Sequence, residues 1–424
     1  MSETCVVGKS APRVDGPAKV SGKSQYGADI DIPGALFLKV LRSKTPHGMV
    51  KRIDVAEALK IPGVVRVFTH ADVPGENSYG IIVKDQPALT DQVRFRGDAL
   101  ALVAAETEEA AKQALEVIKV EIEELPPLYD VWSAMAEKAQ AIHAKGNILT
   151  VSRVKKGDAA AALRTAAVVV SRRYTTQRVE HSYIETEAGV AYMDNGILVI
   201  KAGTQNPHYD RRDVSRVLGL PMHKVRIIQA ATGGGFGGKL DISVQCFLGL
   251  AALKLGRPVR MVYDRRESIA ATGKRHPFLV EYTSAADREG KLLAVKAKII
   301  GDTGAYASYG PATLNRAAVH ATGPYEVPNV DIEALCVYTN NPFSGAMRGF
   351  GTPQMAFAAE SQMDLLAQEL ELTPLEIRRR NVLRPGSLTA TGQRLDHSVG
   401  ISATLEAAWE KAGRVMPGLG GEVK

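Results

Sequence analysis

The stretch GGGFGGK at residues 233–239 is the most informative segment of the chain, with five glycines in its first six positions. Glycine removes the side chain where a backbone must approach another group closely. Apolar patterning predicts a strand at 225–229 before this loop and a helix at 240–255 after it. Backbone N–H groups that lead into a helix suit an anionic group. The stretch therefore predicts a loop for an anionic ligand, with a glycine turn that only packs helix on sheet as the alternative.

Two common motifs compete for this loop. The P-loop pattern fits as far as Lys239, but Leu240 stands where a Ser or Thr would hold Mg²⁺, so an NTPase is disfavoured. The dinucleotide fingerprint G-x-G-x-x-G fits Gly233, Gly235 and Gly238, and the flanking strands and helix supply the expected βαβ context. The segments that follow are rich in strands instead of repeating βα units. An NAD-dependent dehydrogenase therefore remains an open alternative at this point.

The overall composition limits the class of protein. The 424 residues suggest two or three domains. Hydrophobic residues at 45% and charged residues at 23% are typical of a globular protein. The net charge of +7 is spread along the chain, which disfavours nucleic-acid binding.

The cysteines bear on location and on redox chemistry. Cys5, Cys246 and Cys336 form no disulfide framework and no CxxC pair, so we expect a reducing, cytoplasmic environment. A [2Fe–2S] cluster needs about four cysteines, so we expect no such cluster on this chain. We also expect no signal peptide and no membrane span, because no apolar run is long enough.

The order of predicted elements divides the chain into two units. Strands and one helix precede a Pro-Pro pair at 126–127, which closes a first unit spanning 1–130. Residues 131–147 are typical of a linker with a short helix, and the second unit spans 148–424. The turn Asp-Asn-Gly at 194–196 predicts a hairpin, because Asn and Gly tolerate positive φ. Other predicted elements are strands at 35–41, 64–68, 98–105, 120–124, 168–174 and 259–263, and helices at 107–118, 353–370, 374–382 and 402–412.

Four further segments complete a pattern with residues 233–239. They are TQN at 204–206, KRHP at 274–277, GDTGAY at 301–306 and AMRGFGTPQ at 346–354. In this order the five segments resemble the xanthine oxidase family of molybdenum hydroxylases. The resemblance runs from Arg13 to Leu395, and the combination of GGGFGG with RGFGxPQ is highly specific.

The resemblance implies an α+β fold with two domains. It assigns 1–130 to an α/β hammerhead domain, 131–147 to a linker, and 148–424 to a first molybdopterin-binding domain with C-terminal helices. In the family a second molybdopterin-binding domain carries a catalytic glutamate, and the sequence at 418–422 is similar to that motif only superficially. The chain is most similar to members that hydroxylate nicotinate with a molybdenum site divided between a large and a medium subunit.

The resemblance also implies a set of cofactor contacts. Gln205 matches the family glutamine whose amide points at the apical oxygen of molybdenum. Gly234, Gly235, Phe236 and Gly237 match the loop whose N–H groups bind cofactor oxygens. Arg348 also matches a family residue, an arginine whose fork of N–H donors suits cofactor or substrate oxygens. The resemblance therefore makes Gln205 and Arg348 the catalytic candidates of this chain. No side chain is expected to bind the metal directly, since the pterin dithiolene holds it.

Three positions concern the substrate. Phe350 matches a ring that stacks on a flat heteroaromatic compound. Arg316, 32 positions before Arg348, matches an arginine that stabilises charge on the substrate, and a carboxylate is a plausible target. Leu240 replaces the glutamate of purine-oxidising members, which disfavours xanthine. Gly349 replaces the copper-binding cysteine of carbon monoxide dehydrogenase and disfavours that chemistry.

The activity implied by the resemblance is hydroxylation of a heteroaromatic carbon with water-derived oxygen. The implied cofactor is molybdopterin cytosine dinucleotide with a sulfido or selenido ligand on molybdenum. The catalytic glutamate base would come from a second molybdopterin-binding subunit, and [2Fe–2S] and FAD carriers would lie on separate subunits. We expect a hetero-oligomer with no membrane or nucleic-acid partner. A purine or aldehyde substrate, and a non-catalytic scaffold subunit, remain alternatives.

Overall fold

The computed structural model describes residues 8–415, so Cys5 and the sequence at 418–422 lie outside the described residues. The α-helices are α1 (Gly16–Val20), α2 (Glu108–Val117), α3 (Val131–Met135), α4 (Ala159–Thr165), α5 (Pro207–Val217), α6 (Gln245–Leu255), α7 (Arg265–Ala271), α8 (Gly310–Val319), α9 (Thr352–Glu369), α10 (Pro374–Asn381) and α11 (Ile401–Val415). Short 3-10 helices lie at Ala58–Lys60, His70–Asp72, Met222–Lys224 and Gly238–Leu240. Among the helices of residues 8–415, none has both the length and the apolar character needed to cross a bilayer.

The strands form three sheets. They are β1 (Leu36–Arg42), β2 (Gly48–Asp54), β3 (Val64–Phe68), β4 (Gln92–Val93), β5 (Ala99–Ala105), β6 (Lys119–Glu124), β7 (Ile148–Lys156), β8 (Val168–Thr175), β9 (Ala188–Asp194), β10 (Ile197–Ala202), β11 (Val225–Gln229), β12 (Val259–Val262), β13 (Phe278–Ala286), β14 (Leu292–Gly304) and β15 (Asn329–Tyr338). The sheet orders are β11-β10-β9-β12-β1-β5-β3, β7-β15-β14-β13-β8 and β4-β2-β6. Parallel and antiparallel pairs are mixed with separate helices, which confirms the α+β prediction.

The seven-stranded sheet contains strands from both predicted units. Its first-unit strands β1, β5 and β3 join β12 through a short parallel pairing, Leu36 with Val259 and Phe37 with Arg260. The predicted linker at 131–147 is also packed, since Val131 and Ala134 lie in one core cluster with Ile300. Burial of apolar side chains across these joins holds the two units together.

Apolar clusters pack helices onto the two larger sheets. One core cluster packs α5 and α6 onto β9 and β10, and another packs α8, α9 and α10 onto the five-stranded sheet. The hairpin predicted at 194–196 is confirmed, with φ of 49° at Asn195 and 76° at Gly196. The loops that follow β10, β11 and β15 are joined by hydrogen bonds, from Gly237 N to Gln205 Oε1 and from Arg348 N to Phe236 O.

Two expectations about the glycine loop are wrong. First, β11 and β12 are separated in the sheet by β10 and β9, so the βαβ unit required by the NAD alternative is not formed. Second, α6 begins at Gln245 and not at Leu240. The chain is extended at Asp241, and the Gln245 side chain accepts a hydrogen bond from the Ser243 N–H at 2.8 Å. The glycine loop therefore ends in a 3-10 turn and does not lead directly into an α-helix.

Candidate functional site

The glycine loop, defined as residues 233–239, has an unusual backbone. Gly234 has φ of 96° and Gly237 has φ of 105°, conformations that favour glycine. Phe236 lies between them at φ of 51°, which is rare for an aromatic residue, and its side chain is 47% exposed. Strained backbone of this kind persists only where surrounding contacts hold it. The loop therefore presents an aromatic ring at the surface on a backbone that other segments must fix.

Gln205 is held by this loop through one end of its amide. Its Oε1 accepts hydrogen bonds from Gly237 N at 3.1 Å and Lys239 N at 3.3 Å. An ideal Cβ added to Gly235 would lie 2.4 Å from that oxygen, so glycine is required there. The Gln205 side chain is exposed, and its Nε2 has no hydrogen-bond partner among residues 8–415. The loop thus orients a free, neutral N–H₂ donor outwards.

Arg348 joins the same surface through its backbone. Its N–H donates to Phe236 O at 2.8 Å, and its carbonyl oxygen accepts from Arg275 Nη2 at 3.0 Å. Gly237 also needs to be glycine here, since an added Cβ would lie 2.5 Å from Ala346 O. The Arg348 residue is exposed, and its guanidinium has no partner among the described residues. The structure therefore brings Gln205, Phe236 and Arg348 together.

Phe350 belongs to an aromatic pair that includes a residue the sequence reasoning missed. Its ring packs edge-on against Tyr309 with centroids 5.7 Å apart. The Tyr309 hydroxyl oxygen accepts from Asn206 Nδ2 at 3.1 Å, so its own proton is left to donate elsewhere. Burial raises the pKa of Tyr309, which keeps the hydroxyl neutral. The sequence signal for this residue was only its place in the loop before α8.

Neither the Arg316 nor the Leu240 side chain has a described contact with Gln205, Phe236 or Arg348. Arg316 is an exposed residue of α8, and that helix touches the Arg348 loop, since a Cβ on Gly351 would lie 2.5 Å from Thr313 O. Leu240 is half-buried at the end of the loop, with its N–H donating to Gly237 O at 3.1 Å. Both remain predictions as substrate contacts.

Lys239 excludes the P-loop interpretation. Its residue is 2% exposed, and its ammonium lies 2.7 Å from Glu185 Oε2. The same ammonium sits 4.8 Å over the Tyr183 ring. A P-loop lysine must reach the phosphates of a nucleotide, whereas this one is directed inwards and paired. Glu185 was also missed, because nothing in its local sequence links it to a loop about 50 residues further on.

Two buried carboxyl groups, Asp210 and Asp241, lie in the segments that follow Gln205 and the glycine loop. Burial raises the pKa of Asp241 to about 7, although the Ser308 hydroxyl donates to both its oxygens at 2.8 and 2.9 Å. Burial likewise raises the pKa of Asp210 to about 7. A carboxyl group in a low-dielectric site favours its neutral form. The charge of these two groups therefore depends on pH near neutrality.

Asp241 gives a pH-dependent prediction for stability. An unfolded Asp titrates at about 4. Between pH 4 and pH 7 the folded chain therefore binds one more proton than the unfolded chain, and its free energy of unfolding falls as the pH rises through that window. Asp241→Asn removes the loss. Because one pKa unit corresponds to about 1.4 kcal/mol, the free energy of unfolding of the variant should rise by roughly 2.5 kcal/mol relative to wild type from pH 5 to pH 8. Urea unfolding at both pH values measures this.

The control for that prediction is Asp396→Asn. Asp396 is a surface carboxylate whose side chain is 68% exposed. Its replacement should leave the pH dependence of the free energy of unfolding unchanged. Parallel pH curves for wild type and Asp241→Asn would contradict the prediction.

The exposed donors suit an oxygen-rich, anionic group. The Gln205 amide and the Arg348 guanidinium offer a neutral and a positive donor, whereas the Gly237 N–H, predicted to bind cofactor oxygens, donates to Gln205 Oε1 instead. The donors present therefore fit an anionic, oxygen-rich cofactor.

Comparison with known proteins identifies the class. The molybdopterin cofactor-binding domain matches residues 142–382, and the aldehyde oxidase and xanthine dehydrogenase a/b hammerhead domain matches residues 21–126. The chain therefore belongs to the xanthine oxidase family of molybdenum-dependent oxidoreductases, as its motifs indicated.

Particular relatives refine this assignment. The nicotinate dehydrogenase large molybdopterin subunit of Eubacterium barkeri is 48% identical, over 97% of each chain. The aldehyde oxidoreductase of Megalodesulfovibrio gigas is 35% identical over 91% of this chain and 44% of that protein. A solved aldehyde oxidoreductase, from Desulfovibrio desulfuricans, matches with a TM-score of 0.92 and 32% identity, over 97% of this chain and 48% of that one. The chain thus spans nearly the full length of the first relative and about half of the other two.

Proposed function

We propose that this chain is the molybdopterin-binding large subunit of a multi-subunit hydroxylase of the nicotinate dehydrogenase type. The observation that carries the proposal is the convergence of Gln205, Phe236 and Arg348 on one open face. The relative of nearly equal length, a nicotinate dehydrogenase large molybdopterin subunit, supports the same assignment. Purine oxidation is the weaker candidate, because Leu240 cannot hydrogen-bond purine nitrogens.

In this proposal the chain binds and orients its cofactor. Gln205 Nε2 would donate to an oxygen of the cofactor, while Gly237 N and Lys239 N hold the other end of the amide. Arg348 supplies a fixed positive charge to cofactor or substrate oxygens as charge develops there. The Phe236 ring keeps water from the reacting face. When bound, the molybdenum cofactor supplies the two-electron chemistry that introduces water-derived oxygen.

The substrate in this proposal is a flat heteroaromatic compound. The edge-on pair of Phe350 and Tyr309 offers one ring surface for stacking, worth about 0.5–1.5 kcal/mol beyond burial. The free proton of the Tyr309 hydroxyl can donate to a ring nitrogen or carboxylate oxygen. Arg316 would attract a substrate carboxylate, consistent with a nicotinate-like compound.

A second polypeptide completes the site in this proposal. It would contribute a second molybdopterin-binding domain with the glutamate base, and other subunits would carry [2Fe–2S] and FAD. The cofactor would be the cytosine dinucleotide form, with sulfido or selenido on the metal. Cytoplasmic location also remains a prediction, resting on the cysteine content.

The experiment compares this chain expressed alone with the chain co-expressed with its partner subunits. We expect molybdenum and nicotinate hydroxylation only in the assembled complex, because a single chain supplies one wall of the site. Metal analysis and absorbance of the hydroxylated product measure this. Full molybdopterin loading and turnover by the chain alone would contradict the divided site, and a complex without molybdenum would contradict the function itself.

A further inference from the structure

The strained glycine loop is clamped from below by one carboxylate. Glu185 Oε2 accepts from Gly233 N at 2.7 Å and lies 2.7 Å from Lys239 Nζ. These two contacts join the first and last residues of the loop. Glu185 Oε1 also accepts from Gly27 N at 3.1 Å, which ties the loop to the segment near the start of the described chain.

The ion pair is shielded from water. The side chains of Lys239 and Glu185 are 1% and 10% exposed. Position 233 must be glycine for the segments to pack this closely, since an added Cβ there would lie 2.6 Å from Glu185 Cβ. Charges in such a site interact strongly, and loss of one partner leaves the other unpaired in a low-dielectric environment.

Lys239 connects this clamp to the exposed face. Its side chain enters the ion pair, while its backbone N–H donates to Gln205 Oε1 at 3.3 Å. The backbone N–H of Gln205 in turn donates to the backbone oxygen of Lys239 at 2.8 Å. A shift of the Lys239 backbone therefore moves the Gln205 amide directly, with no other residue between them.

We propose that the Glu185–Lys239 ion pair is a positioning device that sets the direction of the Gln205 amide. The inference rests on the proposed function, in which that amide faces the cofactor. The ion pair holds both ends of the loop at a fixed separation, and the positive-φ residues between them keep their strained conformation. Glu185 and Lys239 touch neither cofactor nor substrate, and they act through the loop.

The test uses the assembled enzyme with Lys239→Met and with Glu185→Gln. Hydrogen exchange of peptides covering 231–241 reports on the loop, because the Gly233, Gly237 and Lys239 amides are all hydrogen-bonded there. We expect at least about a tenfold loss of amide protection. We also expect kcat per bound molybdenum to fall at least about tenfold with little change in KM, since orientation and not substrate affinity is lost.

Two further variants separate positioning from folding. Glu185→Gln combined with Lys239→Gln replaces the ions by a hydrogen-bonded amide pair and should restore most of the protection and of kcat per molybdenum. Glu267→Gln breaks another partly buried pair, Arg42 with Glu267 at 3.1 Å, and should lower the melting temperature without altering exchange at 231–241. Unchanged loop exchange, or unchanged kcat per molybdenum in a destabilised Lys239→Met enzyme, would overturn the inference. Absence of molybdenum from the wild-type complex would instead overturn the proposed function.

Discussion

Replacing Gly235 with alanine should lower turnover of the assembled enzyme by about a hundredfold or more. The added Cβ would lie 2.4 Å from Gln205 Oε1 and 2.7 Å from its Cδ, so the side chain must leave its place. Its hydrogen bonds from Gly237 N and Lys239 N are then lost, and the Nε2 donor no longer points at the exposed face. Molybdenum content and steady-state kinetics measure the effect.

Gly400→Ala is the matched control for this prediction. Gly400 is exposed, and an added Cβ there would meet nothing within 4 Å. It should leave both molybdenum content and turnover at wild-type levels. Gly235→Ala should also destabilise the chain by about 1–3 kcal/mol, the usual cost of overpacking. Wild-type turnover in Gly235→Ala would show that the loop tolerates a displaced Gln205.

Much of the fold could be predicted because local sequence determines it. The strands predicted at 64–68 and 225–229 match the structure to the residue, since these short segments are rich in the β-branched residues that favour strands. The hairpin followed from Asn195 and Gly196, whose types permit the positive φ that the turn needs. The helix α2 was found within one residue at each end, because Thr107 caps it and accepts from Ala110 N.

Elements that depend on distant contacts could not be predicted in this way. The apolar residues Leu240, Ile242 and Val244 continue the pattern of α6, yet they precede it. Their backbone is diverted because Asp241 bonds to Ser308, a residue 67 positions away. Sheet order is similarly non-local, since the pairing of β1 with β12 joins segments more than 200 residues apart.

The site also contains residues that local motifs indicate and residues that only long-range contacts reveal. Gln205, Phe236 and Arg348 were named because their motifs resemble a family, and the structure supplies the contacts that bring them together. Tyr309 contacts Asn206 over a separation of 103 residues, so no spacing rule could indicate it. The Glu185 carboxylate reads from the sequence as an ordinary acidic residue. Sequence motifs do not indicate buried residues that support a site, because such residue types are common and only their position in the fold distinguishes them.

Arg348→Ala should lower turnover by about 10²–10³-fold while leaving the fold intact. Only the backbone of Arg348 has hydrogen bonds among the described residues, with Phe236 O and Arg275 Nη2, and alanine keeps both. The free energy of unfolding should therefore change by less than about 0.5 kcal/mol, as for other surface substitutions. Loss of a charged donor aimed at the reacting group costs about 10²–10³ in kcat.

Arg348→Lys distinguishes charge from geometry. Lysine keeps the charge but loses the planar fork, so it should recover only part of the rate if two oxygens are bound together. Arg172→Ala on β8 is the control, because that exposed arginine donates to the backbone oxygen of its neighbour Ser171 and to none of the site residues. Kinetics and urea unfolding of the three variants in the assembled complex decide the matter. Wild-type activity in Arg348→Ala would remove this residue from the site, and a large loss of stability would mean that its role is structural.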